Sequence, residues 1–307
     1  DWSSDVCSSD LLYVTLEPCC HHGKTPPCTD LIIRHKIKRV VIGSTDSNPL
    51  VSCQGIHCLQ GKGIEITTGI LEDECRNLNE VFFHYMETGL PYITVKYAQT
   101  LDGRVATKTG RSQWISSPDS LVFAHKLRAE HDAILVGIGT VLADNPTLTV
   151  RRTRGRNPVR IVVDSGLKIK MDANVMQNLS RTPTLIVTTR KASDKRSRQL
   201  AVAGADIITV AGDRYGHVDL KKMLPMLASR NISSVLIEGG SQIITSTLKD
   251  NLVNRLVTVI APKIIGQGIE AVGDLKIRDL CDAKLLTIHR VLRKGDDVII
   301  DSRLRPQ

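Results

Sequence analysis

From residue 11 onward, short apolar runs alternate with stretches whose apolar positions recur at helical spacing, so strands and helices should exchange along the chain. Residues 12–16 predict a strand, and 29–36 a helix that opens after Pro26, Pro27 and Cys28. A strand over 39–43, a weak helix over 55–61 and a strand over 64–67 follow. In 73–86 the apolar positions Cys75, Leu78, Val81, Phe82 and Tyr85 keep a helical period. Thr88, Gly89 and Pro91 break it, and a domain boundary is expected after residue 88.

Beyond that boundary the alternation resumes, with strands predicted at 92–97, 133–136, 160–164, 184–187, 206–210, 234–237, 256–260 and 298–300. Helices fit over 220–230 and 242–250. Another opens at Ser117, a good N-cap followed by Pro118, with Leu121, Ala124 and Leu127 on one apolar face. The order predicts two α/β domains, the second with a substantial sheet. Residues 1–10, DWSSDVCSSD, carry no apolar period, and we set them aside as foreign to the strand that follows, with no function for Cys7.

Composition narrows the class. Of 307 residues, 41% are hydrophobic and 24% charged, the balance of a folded globular protein rather than a disordered one. The longest apolar runs, such as 133–136 and 256–261, fall far short of the ~20 residues that cross a bilayer. No signal-peptide pattern is present, so a cytoplasmic protein that engages no membrane is expected.

Lysine and arginine total 41 against 32 acidic residues, a net +9. Such a surplus suits nucleic acid, an anionic membrane or a phosphorylated small molecule. Aromatic residues are only 3%, which leaves little for base stacking, and the basic residues are dispersed. The densest run, 151–160, holds five arginines, and the plain reading of the overall charge is a solvated surface. A phosphorylated substrate is the favoured reading. Seven of eight cysteines lie in the first quarter of the chain, which points to metal or catalysis there rather than to disulfide stapling.

The sharpest motif is Glu17-Pro18-Cys19-Cys20-His21-His22-Gly23-Lys24-Thr25-Pro26-Pro27-Cys28, at a strand-to-helix junction. Cys19 and Cys28 each follow a proline, and Cys28 opens a helix, where peptide dipoles favour a thiolate. Such thiolates suit zinc, which in a catalytic site takes three protein ligands and one water; His21 and His22 are third ligands by type. The surrounding string TLEPCCHHGKTPPCTDLII resembles the zinc segment of the bifunctional riboflavin biosynthesis deaminase/reductase family. The resemblance implies a cytidine-deaminase-like domain at 11–88, followed by a dihydrofolate-reductase-like reductase at 89–307. It makes Cys19 and Cys28 the zinc thiolates and removes Cys20, His21 and His22 from the ligand set. Cys53 stands where it leads us to expect glycine.

Deaminases of this fold carry a His-x-Glu that supplies the third ligand and the general acid/base. No such triplet occurs here. The deaminase half is therefore expected to be amino-terminally truncated and inactive.

The second half keeps the reductase segments of the same family in order: Lys96 to Arg104, Ser112-Gln113-Trp114-Ile115, Gly139 to Pro146, Leu148 to Arg151, Val163-Asp164-Ser165 and Ile237 to Ser241. By residue chemistry, Gly239-Gly240 between a strand and a helix suits a cofactor phosphate. The competing Gly137-Ile138-Gly139 lacks the third glycine of a Rossmann fingerprint, because Leu142 stands there. The resemblance implies NADPH along Gly240, Ser241, Gln242, Ile243, Ile244, Thr245 and Ser246, with further contacts from Ala98, Trp114, Thr140, Asp144 and Ser165. It gives the substrate to Ser112, Arg128, Leu148, Arg151 and Glu238, and makes Lys96, Asp102 and Glu238 the candidates for catalysis. The expected substrate is a phosphorylated pyrimidine, 5-amino-6-(5-phosphoribosylamino)uracil, reduced to its ribitylamino form by a homo-oligomeric enzyme. Two alternatives stay open: a pseudo-deaminase module that only supports assembly, and a basic nucleic-acid-binding protein.

Overall fold

The computed structural model describes residues 10–23, 25–48, 51–113 and 115–305. The chain divides into two compact units, Asp1–Leu90 and Pro91–Gln307, two residues past the break expected from the sequence.

In the first unit β1 (Leu11–Leu16), β2 (Arg39–Ser44) and β3 (Glu65–Thr68) form a parallel sheet in that order. α1 (Cys28–Arg34) and α2 (Gln54–Gln60) are the crossovers, and α3 (Glu72–Leu78) and α4 (Glu80–Thr88) follow. Central β2 buries Val40 and Ile42 against Ile32 of α1 and Ile56 and Leu59 of α2. Buried Glu17 accepts four main-chain N–H groups, from Asp46, Cys53, Gly55 and Ile56, at 3.0–3.2 Å. This ties the end of β1 to the start of α2. Cys53, at φ 60°, sits in the left-handed region that favours the glycine expected there.

The helix expected over 73–86 is two helices that meet at Asn79. The Asn79 amide donates to the Cys75 carbonyl at 3.0 Å, a local bond that competes with helix continuation. The break changes the phase: Leu78 is exposed and Phe83, outside the expected stripe, is the buried residue.

In the second unit the chain runs β4 (Tyr92–Thr100), β5 (Arg104–Thr107), α5 (Pro118–Glu130), β6 (Ala133–Gly137), α6 (Ile138–Asp144) and β7 (Val159–Val163). It continues through β8 (Thr184–Thr189), α7 (Asp194–Val202), β9 (Asp206–Val210), α8 (Leu220–Ala228) and β10 (Ser234–Glu238). Then come α9 (Ser241–Lys249), β11 (Arg255–Ala261), β12 (Gly268–Glu270), β13 (Leu286–Lys294) and β14 (Asp297–Leu304). Nine strands make one sheet, ordered β13-β14-β11-β4-β10-β6-β7-β8-β9, while β5 and β12 pair separately. From β11 to β9 every pairing is parallel; β14 and β13 add an antiparallel edge.

The parallel strands are apolar because helices cover both faces, and all five residues of β6 are buried. Ser117 caps α5 as expected, accepting the Ser120 N–H. On one face Phe123 and Leu127 of α5 pack on Leu236, Val257, Val259 and Ile299. On the other, Ile134, Val136, Val162 and Ile186 pack with Leu200 of α7. Strand β10 inserts late, between β4 and β6, so the chain reverses direction across the sheet there. Open α/β sheets bind ligands at the carboxyl ends of strands beside such a reversal. The fold is mixed α/β, and among the described residues no helix is long and apolar enough to cross a membrane.

Candidate active site

A cavity of about 930 Å³ opens at the carboxyl ends of β4, β6, β7 and β10. Its size is near the upper end of ordinary small-molecule sites. Side chains alternate along β10, so Glu238 shares a face with Leu236, and α5 packs on that face. Arg128, one residue past buried Leu127, thereby reaches Glu238. Its Nε and Nη2 donate to the two carboxylate oxygens at 2.9 and 2.7 Å, and its Nη1 donates to the Thr149 carbonyl at 3.2 Å.

Lys96 is the in-register neighbour of Glu238 on β4 and lines the same cavity. Burial pushes the Lys96 ammonium below its ordinary range; Glu238 opposes this and Arg128 adds to it. Burial would raise the Glu238 carboxyl, but Arg128, Lys96 and His125 outweigh it and hold the group at about 2. At neutral pH Glu238 is an anion and no proton donor.

The second wall is the β10-to-α9 turn. Gly239 and Gly240 have φ of 88° and 82°, conformations that favour glycine. A Cβ on Gly240 would stand 3.3 Å from the Thr140 hydroxyl, so side-chain atoms there would narrow the cavity. No side chain caps α9, which leaves its first-turn N–H groups as anion donors beside the turn. The glycine cradle and these donors fit a dinucleotide phosphate.

The cavity also gathers Ala98, Ser112, Thr140, Asp144 and Ser165, the Leu148 and Arg151 loop, and Ser241, Gln242, Ile243, Ile244 and Ser246 of α9. Ser112 donates to Asp144 at 3.3 Å, and the Ser165 hydroxyl accepts the Val218 N–H at 3.1 Å. Two expected residues stand elsewhere. The Asp102 carboxylate accepts from the Thr100 hydroxyl and from the Ile265 and Gly266 N–H groups, which hold it down at about 2. It locks a turn and does not line the cavity. Thr245 donates to the Ser241 carbonyl and accepts the Gly273 N–H, and so serves its own helix and a neighbouring loop. Trp114 lies outside the described residues.

Two features were not legible as site residues. His125 sits one helical turn before Arg128, lines the cavity and accepts the Arg151 N–H on Nδ1 at 2.9 Å. Its imidazole is pushed down to about 4, first by burial and then by Arg128 and Arg151. Lys168 also lines the cavity, directly after Leu167, whose φ is 53°. Within the arginine run 151–160, Arg160 is buried and donates to the carbonyls of Asn174, Gln177 and Thr182.

In the first unit the Cys19 and Cys28 sulfurs lie 3.5 Å apart, close to the ~3.8 Å edge of a tetrahedral zinc site. With no metal between them, the Cys19 sulfur and burial push the Cys28 thiol up. Cys20 turns toward Gln54. Among the described residues no group of three or more His, Cys, Asp or Glu is placed to hold a metal ion, so the two sulfurs do not make a complete zinc site.

Residues 91–300 match the RibD C-terminal domain. The riboflavin biosynthesis protein RibD of Aquifex aeolicus is 44% identical over 290 residues, 94% of this chain and 79% of that protein. The crystal structure of a diaminohydroxyphosphoribosylaminopyrimidine deaminase/5-amino-6-(5-phosphoribosylamino)uracil reductase from Thermotoga maritima is similar at a TM-score of 0.80 and 34% identity. It matches over 95% of this chain and 79% of its own. Acinetobacter baumannii RibD gives a TM-score of 0.84 at 29% identity, over 96% of this chain and 80% of its own. On these matches the chain belongs to the RibD family of riboflavin biosynthesis proteins, with the family's reductase domain as its second unit.

Proposed function

We propose that the second unit reduces 5-amino-6-(5-phosphoribosylamino)uracil to its ribitylamino form with NADPH. The observation that carries this is one cavity in which Lys96, Glu238 and Arg128 face the Gly239-Gly240 cradle. NADPH, when bound, supplies a hydride to C1 of the opened sugar. The chain's own residues align the reactants and manage the proton. Gly240 to Ile244 and Ser246, with Ala98, Thr140, Asp144 and Ser165, are the proposed cofactor wall; Ser112, Leu148, Arg151 and Glu238 the substrate wall.

Three residues were candidates for the proton released onto the opening ring oxygen. Asp102 stands outside the cavity and Glu238 is ionised, which leaves Lys96 Nζ as the donor. A lowered pKa brings a lysine closer to the range where general acids work best. Arg128 holds the Glu238 carboxylate, which then accepts from sugar hydroxyls.

For the first unit we propose that the residues present do not by themselves support deamination. Cys19 and Cys28 offer zinc two sulfurs, and no His-x-Glu occurs in these 307 residues to complete the site and shuttle protons. The test is cofactor oxidation on mixing the protein with the phosphorylated ribosylaminouracil and either NADPH or NADH. Turnover with NADPH at clear preference is expected; no turnover, or equal affinity for both nucleotides in a fluorescence titration, overturns the reading.

A further inference from the structure

The loop from 145 to 152 has no regular structure, yet it carries Leu148 and Arg151 into the cavity wall. Two side chains of α5, one turn apart, grip its main chain: Arg128 donates to the Thr149 carbonyl and His125 accepts the Arg151 N–H. Atoms two residues apart on an extended segment lie on the same edge, so these bonds act as a short ladder between helix and loop. We propose that His125 is a positioning residue that aims Arg151 at an anionic group of the substrate.

The chemistry of the acceptor explains the residue type. A main-chain N–H can only donate, so Nδ1 carries no proton and the ring proton sits on Nε2. The imidazole is therefore a neutral acceptor. The charged groups that act on it are Arg128, Arg151, Arg152 and Glu238. A protonated ring would lose the acceptor and face three guanidinium groups. A carboxylate acceptor would hold the loop but cancel charge that an incoming phosphate needs. Among the described residues Arg151 has no carboxylate partner; its guanidinium donates to the Thr147 and Thr149 hydroxyls. Its charge stays available to a ligand.

The inference rests on the reductase reading only for the identity of the substrate. The experiment therefore pairs kinetics with binding of inorganic phosphate measured by calorimetry. His125→Asn places an amide oxygen near Nδ1 and should keep phosphate affinity and KM within about threefold of wild type. His125→Leu removes the acceptor and should weaken phosphate and raise KM ten- to a hundred-fold, the loss of one charge-assisted contact, with kcat little changed. His125→Gln fills the space but puts its oxygen one bond too far, and should show the same defect with an unchanged melting temperature. Adding Arg151→Met to His125→Leu should cost little more, because both act through one guanidinium.

Equal behaviour of the Asn and Leu variants, an unchanged KM in the Leu and Gln variants, or additive defects in the double variant would overturn the positioning role, as would absence of phosphate binding by wild type. Phosphate binding that follows the predicted order without any NADPH turnover would support it and sink the reductase reading instead.

Discussion

Glu238→Gln is the substitution with the most to tell, because the carboxylate lies between a proposed substrate and a buried ion pair. Its pKa of about 2 against an ordinary 4.5 means that the fold favours the ionised form by about 3 kcal/mol. Both partners are only 11–13% exposed, so water screens little of this. The sign follows from the depressed pKa: the stabilisation is complete above about 4.5 and is lost as pH falls toward 2. The glutamine variant should therefore be about 2–3 kcal/mol less stable at pH 7, a fall in Tm of roughly 5–10 °C for a domain of this size.

Arg128→Met should cost more, about 3–5 kcal/mol, by leaving a buried carboxylate with Lys96 as its remaining cation. The double variant should fall short of the sum by about 2–4 kcal/mol. Melts from pH 8 to pH 4 on the four proteins give every value. The glutamine penalty should stay flat down to about pH 5 and shrink below that. Additive losses, or a penalty that ignores pH, would refute the buried-pair argument. Turnover of the glutamine variant should fall ten- to a hundred-fold while NADPH affinity changes little, since the cradle is main chain.

Lys96→Met should lower turnover at least a hundred-fold without weakening NADPH, and wild-type turnover should decline with rising pH at a value below the ordinary lysine pKa; a variant retaining a tenth of its activity excludes Lys96 as the donor. Gly240→Ala, at φ 82° and 3.3 Å from the Thr140 hydroxyl, should weaken NADPH about tenfold in a fluorescence titration, and unchanged affinity would show that the turn makes no close contact. Zinc added to the protein should be removed readily by a chelator, with no ammonia released from the diaminopyrimidine; tight stoichiometric zinc with ammonia release would reverse that reading of the first unit.

The fold was legible where burial is two-sided. β6, β8 and β10 are near-continuous apolar runs because helices cover both faces. β13 was not, because as an edge strand it exposes six consecutive residues and shows no buried face. α7 buries only Leu200, too little for a period to register, and α6 starts directly after Gly137 and reads as a glycine turn. Lys96 in the middle of β4 and Glu238 at the end of β10 were legible through the resemblance of their segments. Asp102 and Thr245 sit in equally familiar strings, but their roles depend on which N–H groups fold onto them from residues 265–266 and 273. His125 carried no linear signal at all, since its partner is a main-chain atom 26 residues away.

Charge shows the same distinction between chain and site. The +9 of the sequence suggested an anionic ligand, yet the cavity lining holds five lysines and arginines against six acidic residues. Net charge therefore does not locate the phosphate. Pairing does. Arg128 is bound to Glu238 through two short bonds and cannot serve a phosphate without abandoning a buried carboxylate, at a cost of about 3–5 kcal/mol. Arg151 and Arg152 carry no carboxylate partner among the described residues, and both act on the neutral imidazole of His125. In the proposed reading the phosphate falls to Arg151, and Arg128 holds Glu238 against the sugar. Exchanging the two roles by Arg151→Met should then weaken phosphorylated ligands far more than their dephosphorylated forms, whereas Arg128→Met should impair both alike.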